Sequence, residues 1–192
     1  MISAGRAHRF FIAAAVAGIA HALPSLYWAL GGTALVSTLG EWAARWQRES
    51  PGEVAVLLSL IFLAKLAGAM LPLVNERGLL PAPRLWRGLF WCAAALLVTY
   101  GASNVVAALA ALTGMIGTAQ TMDTTALVGH AFLWDPLFLL WGLLLAAALM
   151  TSRPRRVSAG ADPRWPKAGD LQETEHPAGA RTQGRSRGVG HS

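Results

Sequence analysis

Charge is scarce in this chain and cysteine is nearly missing. Only 14% of the 192 residues are Asp, Glu, Lys or Arg, where a soluble domain averages about 25%. With 54% hydrophobic residues and a mean hydropathy of +0.44, that shortage argues against an ordinary soluble domain and for a membrane protein. Cys92 is the single cysteine, so no intrachain disulfide, C-x-x-C redox pair or cysteine zinc site can form. Glycine-rich phosphate loops and the H-E-x-x-H zinc pattern are also missing. The formal charge of +6 resembles a nucleic-acid signal, yet eight of the 16 basic residues follow Met150 and most others flank apolar runs. A membrane topology demands that distribution, so no nucleic acid is expected as a partner.

What the chain does have is apolar length. Four runs, at residues 10–30, 54–74, 89–112 and 126–150, can each cross a hydrocarbon core about 30 Å thick at about 1.5 Å per residue. The expected fold class is an all-α integral membrane four-helix bundle spanning residues 1–150. Residues 151–192 are rich in Gly, Pro, Arg, Ser and Thr and cannot bury enough apolar surface to offset ordering. They read as a disordered basic C-terminal tail on the cytoplasmic side. Its opening Arg153, Arg155 and Arg156 suit anionic lipid.

Basic residues alternate in register with the four crossings. Arg6 and Arg9 precede the first, Arg77, Arg84 and Arg87 lie between the second and third, and the tail arginines follow the fourth. The other two loops balance Arg45 and Arg48 against Glu41, Glu49 and Glu53, or hold only Asp123. The positive-inside rule then puts both termini in the cytoplasm of a plasma (inner) membrane protein. Arg6, Arg9 and Ala20-His21-Ala22 also fit a cleaved signal peptide, but apolar sequence continues beyond that site to Leu30. Trp28 and Trp134 fall toward outer span ends, Trp86 and Trp91 toward an inner end, as headgroup anchors do. Leu39, Trp42 and Trp46 recur at i, i+3, i+7, which predicts a short amphipathic helix on the outer surface.

Ionisable residues inside apolar runs are costly, about 2.5–3.5 kcal/mol each on insertion scales, and mark candidate sites. Lys65 lies mid-run in the second span and Asp135 inside the fourth. Counting rise along each span separates them by about 4–5 Å in depth, within reach of an ion pair. His21, Tyr100 and Asn104 share the mid-depth zone, and His130 lies further out. These six form the expected intramembrane polar cluster. His21 and His130 differ by about 10 Å in depth, which does not suit two axial ligands of one haem, and no cofactor or metal is expected. Ser25, Thr99, Ser103 and Cys92 lack a neighbouring base in the sequence that would nominate a nucleophile. Pro24 and Pro136 interrupt helical hydrogen bonding beside His21 and Asp135. Ala14, Gly18 and Ala22, and Ala64 with Gly68, are small-residue stripes suited to close helix packing.

Two segments carry a resemblance. Tyr27-Trp28-Ala29-Leu30-Gly31-Gly32 closes the first span, and Gly129-His130-Ala131-Phe132-Leu133-Trp134-Asp135-Pro136 opens the fourth. Over residues 10–150 the chain resembles an uncharacterised family of small four-span bacterial membrane proteins, common in actinobacteria, known as domain of unknown function 3995. The resemblance implies architecture and no activity. The leading expectation is a non-enzymatic accessory or assembly component packing against the bilayer, itself or another membrane protein. The alternatives are a small transporter or ligand-binding protein using the Asp/Lys/His cluster, and a membrane enzyme acting on a lipid or quinone.

Overall fold

The computed structural model describes residues 2–116 and 123–152. The elements are α1 (Ile2–Ala29), a 3-10 turn (Val36–Leu39), α2 (Glu41–Glu49), α3 (Pro51–Glu76), α4 (Pro83–Leu112), α5 (Thr124–Gly129), a π-helical turn (His130–Trp134) and α6 (Asp135–Thr151). Among the described residues, four stretches are long and apolar enough to cross a membrane: Gly5–Ala29, Pro51–Glu76, Pro83–Leu112 and Thr124–Thr151. The chain is therefore a multi-pass, all-helical membrane protein. Its helices overrun the apolar runs because helix geometry continues past the first charge, through Arg84 and Arg87 at the start of α4 and to Glu76 at the end of α3. The expected tail, including Arg153, Arg155 and Arg156, lies outside the described residues from Arg153 onward.

Local chemistry sets the boundaries. Proline opens α3 and α4, where a missing N–H is harmless. α1 ends in a Schellman turn: Gly32 N donates to Tyr27 O at 3.0 Å, Gly31 N to Trp28 O at 3.0 Å, and Gly31 takes φ +89°, a conformation a Cβ would strain. α3 and α4 close the same way at Gly78 and Gly114. The fourth crossing is not one helix. Pro136 cannot donate to Phe132 O, and the chain widens into the π-helical turn before α6 begins.

α1 packs along both α3 and α6, and α6 also packs along α4, while α3 and α4 meet only sparsely. Glycine makes the close contacts. A Cβ at Gly18 would lie 2.7 Å from both the Ala69 Cβ and the Trp141 ring, and one at Gly68 would lie 3.5 Å from that same ring. The indole of Trp141 thus sits in a notch cut by two helices. Ala14, Gly18 and Ala22 are buried as the stripe on α1 predicts, whereas Ala64 on α3 is exposed.

The dense core occupies the end of the bundle that carries the arginines, around Phe11, Leu73, Phe90, Leu145 and Leu149. His8 Nδ1 meets Glu76 Oε2 at 3.1 Å, joining the start of α1 to the end of α3. Arg87 donates to Ser152 Oγ at 2.7 Å and to the carbonyls of Ser152, at 3.0 Å, and Leu149. It thereby satisfies acceptors that the end of α6 leaves open. The far end is packed differently: there the spans leave room.

Candidate functional site

A cavity of about 270 Å³ opens in the far half of the bundle. Its floor is the Phe138 ring, whose centroid lies 3.8 Å from that of His21 and 5.4 Å from that of Tyr100. Trp28 and Trp134 form the back wall, edge to face with centroids 5.3 Å apart. Both are 5% exposed, so these indoles face the protein interior rather than the headgroups expected from their depth. The roof is α2, which contributes Trp42, Ala43, Trp46 and Gln47. A short helix carries Trp42 and Trp46 as their spacing predicts, while Leu39 falls in the preceding 3-10 turn, and all three line the cavity.

The roof is held by polar contacts. Gln47 Nε2 donates to Trp28 O at 3.2 Å and to Gly32 O at 2.8 Å. Trp134 Nε1 donates to Thr38 Oγ1 at 3.0 Å, and a Cβ on Gly129 would collide with the Thr38 carbonyl. Asp123 caps α5 by accepting from Ala126 N at 3.1 Å and accepts from Glu41 N, at the start of α2, at 3.1 Å. The Tyr27-Trp28 pair fastens the same connection: Ala34 N donates to Tyr27 Oη at 3.3 Å and Trp28 Nε1 donates to Ala34 O at 2.8 Å. The Tyr27 ring lies over Gly32 so closely that a Cβ there would overlap it. The motif of Tyr27, Trp28, Gly31 and Gly32 is thus a device that ends α1 and folds the roof back over it.

Of the six expected polar residues, five line this cavity: His21, Lys65, Tyr100, His130 and Asp135. Asn104 does not, and its side chain donates to Tyr100 O one turn back at 3.0 Å. Tyr27 is exposed and lines a separate shallow groove with Pro24 and Leu35. The expected Lys65–Asp135 contact is absent: among the described residues no ion pair joins them. Lys65 Nζ donates to Ser25 Oγ at 3.0 Å and lies 5.7 Å from the Phe138 ring centroid. Asp135, 1% exposed, bonds His130 Nδ1 at 2.9 Å. Five residues along an α-helix rotate a side chain about 140° away from its starting face. The wider π-helical turn lessens that rotation and lets this i, i+5 pair meet.

Two features were not legible beforehand. Ser25, 1% exposed, is the partner of Lys65, and the proximity comes from α1–α3 packing that no spacing encodes. His21 is 4% exposed, and among the described residues neither ring nitrogen has a hydrogen-bond partner. Leaving a buried polar group unpaired costs about 1–3 kcal/mol. Among the described residues no group of three His, Cys, Asp or Glu side chains is placed to hold a metal ion.

Residues 18–145 match the model of a family described as protein of unknown function (DUF3995). The chain belongs to this family. The matched region of this DUF3995 protein takes in every cavity-lining residue, from His21 to Phe138. No curated protein and no solved structure matches it.

Proposed function

We propose that this DUF3995 protein is a non-enzymatic, ligand-binding protein of the plasma membrane, with both termini cytoplasmic. The carrying observation is His21, a buried imidazole with two unpartnered nitrogens, in a cavity that also holds Lys65 and the Asp135–His130 pair. Ligand pockets combine apolar walls with a few convergent polar groups, and a purely packing role gives no reason to leave His21 unsatisfied. A carrier or an accessory subunit that presents its ligand to a partner would both use such a site.

Native mass spectrometry of the full chain in mild detergent tests the reading. The wild type is expected to retain a small molecule that Lys65→Met and His21→Ala lose. A protein carrying only bulk lipid in all three forms would return the cavity to a packing role. A second reading, a membrane enzyme acting on an ester lipid, draws on the Lys65–Ser25 contact at 3.0 Å, because a lysine can serve as base to a serine nucleophile. A fluorophosphonate mass increment on Ser25 in the same sample would favour it.

The proposed orientation rests on the basic residues: Arg6, Arg9, Arg77, Arg84 and Arg87 cluster at one end of the spans. In a Cys92→Ser background, an impermeant maleimide added to intact cells is expected to label Ser37→Cys. Leu79→Cys should label only after lysis. The reverse pattern overturns the orientation.

A further inference from the structure

The geometry points to one class of occupant, an anionic single-chain amphiphile that enters sideways from the bilayer and sets its carboxylate or phosphate head beside Lys65 and His21. This rests on the ligand-binding reading above and names the ligand class.

Charge is the first argument. Lys65 Nζ donates to the Ser25 hydroxyl at 3.0 Å and lies 5.7 Å from the Phe138 ring centroid, and both groups are neutral. Asp135, the acid among the lining residues, is engaged by His130. A cation in an apolar cavity interacts with an entering anion far more strongly than it would in water. A neutral head leaves that cation uncompensated, and a cationic head is repelled. His21 adds a nitrogen that can donate to the same anion.

The second argument is the position of the mouth. Tyr100 on α4, Leu57 on α3 and Trp42 on α2 line the cavity yet are 48%, 38% and 63% exposed, so they stand at its rim. Ser25 and Asp135, each 1% exposed, belong to its depth. Because α3 and α4 barely touch, the opening lies between them. Lys65 and Tyr100 stand near the middle of their helices, so the mouth faces hydrocarbon, and α2 roofs the cavity's far end. A solute from water meets α2 first, whereas a lipid-dissolved molecule meets the open side between α3 and α4 directly.

Size is the third. At about 30 Å³ per water-sized group, a cavity of 270 Å³ holds a head and its first few methylenes. A longer chain continues through the mouth into lipid.

The tryptophans of the cavity report the test. Full-length protein in nanodiscs is titrated with sixteen-carbon chains brominated near the head, ending in a carboxylate, a phosphate monoester, an alcohol or a trimethylammonium, and quenching is followed. The carboxylate and the phosphate are expected to quench saturably in wild type and in Lys65→Arg, and to bind about 30-fold more weakly to Lys65→Met. Unbrominated palmitate should compete, and free acetate or inorganic phosphate should not. Competition by the free ions would move the source from the bilayer to water and overturn lateral entry. Equal saturable binding of the alcohol overturns the anionic assignment while leaving the ligand-binding reading in place. Should Lys65→Met fail to fold, the headgroup series on wild type still decides. No saturable quenching by any chain overturns the amphiphile assignment, and a small molecule still retained in native mass spectrometry would keep the ligand-binding reading in place.

Discussion

Gly101→Val is expected to remove this protein from the membrane. α4 and α6 cross with their backbones nearly touching. A Cβ at Gly101 would lie 2.7 Å from Leu139 N and 2.8 Å from Asp135 O, and one at Gly142 would lie 2.9 Å from Val98 N. These obstacles are main chain and cannot turn aside as a side chain can. Lipid supplies no hydrophobic drive between helices, so association depends on such packing. Overpacking ordinarily costs about 1–3 kcal/mol, and a backbone clash belongs at the upper end or beyond. That is a large part of a stability of about 5–15 kcal/mol. Gly101→Ala should lower Tm in detergent, and Gly101→Val should abolish accumulation. Gly88→Ala is the control: it is exposed on the same helix, with nothing within 4 Å of an added Cβ. A Gly101→Val protein that melts with the wild type would show that the crossing is looser than described.

The architecture was readable because it follows from one-dimensional quantities. The low charge and the lengths of the apolar runs together specify four membrane crossings, and the helices then run past those apolar limits. Depth was readable too, since it is a count of residues. That count put His21, Lys65 and Tyr100 near one level, with Asp135 slightly further out and His130 about 10 Å further out than His21, and all five line the cavity. Azimuth was not readable. Neither α1 nor α4 carries a strong polar stripe, so nothing in either said that Asn104 turns back onto its own helix while Tyr100 borders the cavity. Partner choice failed for a related reason. Opposite charges at similar depth implied a Lys65–Asp135 pair, but the π-helical turn before Pro136 redirects Asp135 to His130, and α1–α3 packing gives Lys65 to Ser25. The Tyr27-Trp28 signature was visible as a motif. Its work in closing α1 and seating the roof depends on Ala34, a residue that no pattern distinguishes.

Asp135→Ala is expected to have the second large effect, and the way it divides among partners decides what the buried carboxylate does. At 1% exposure, Asp135 has almost no solvent contact to replace His130. Removing one member of a buried pair costs about 3–5 kcal/mol, much of it from the partner left behind. His130 is only partly buried and can recover some hydration, so the lower figure is expected. Asp135→Asn keeps an oxygen that can accept from the imidazole and should cost about 1–2 kcal/mol. In a cycle with His130→Ala, the coupling should reach about 1–3 kcal/mol, read from thermal unfolding in detergent. Exchanging the charges, with Lys65→Asp and Asp135→Lys together, should not restore accumulation. The swapped lysine would face His130, and the swapped aspartate would lie beside Ser25. Recovery in the swap, with no coupling in the His130 cycle, would make Lys65 the true partner of Asp135 and His130 a bystander. Lys65 would then be neutralised from within, and the cavity would lose its reason to prefer an anion.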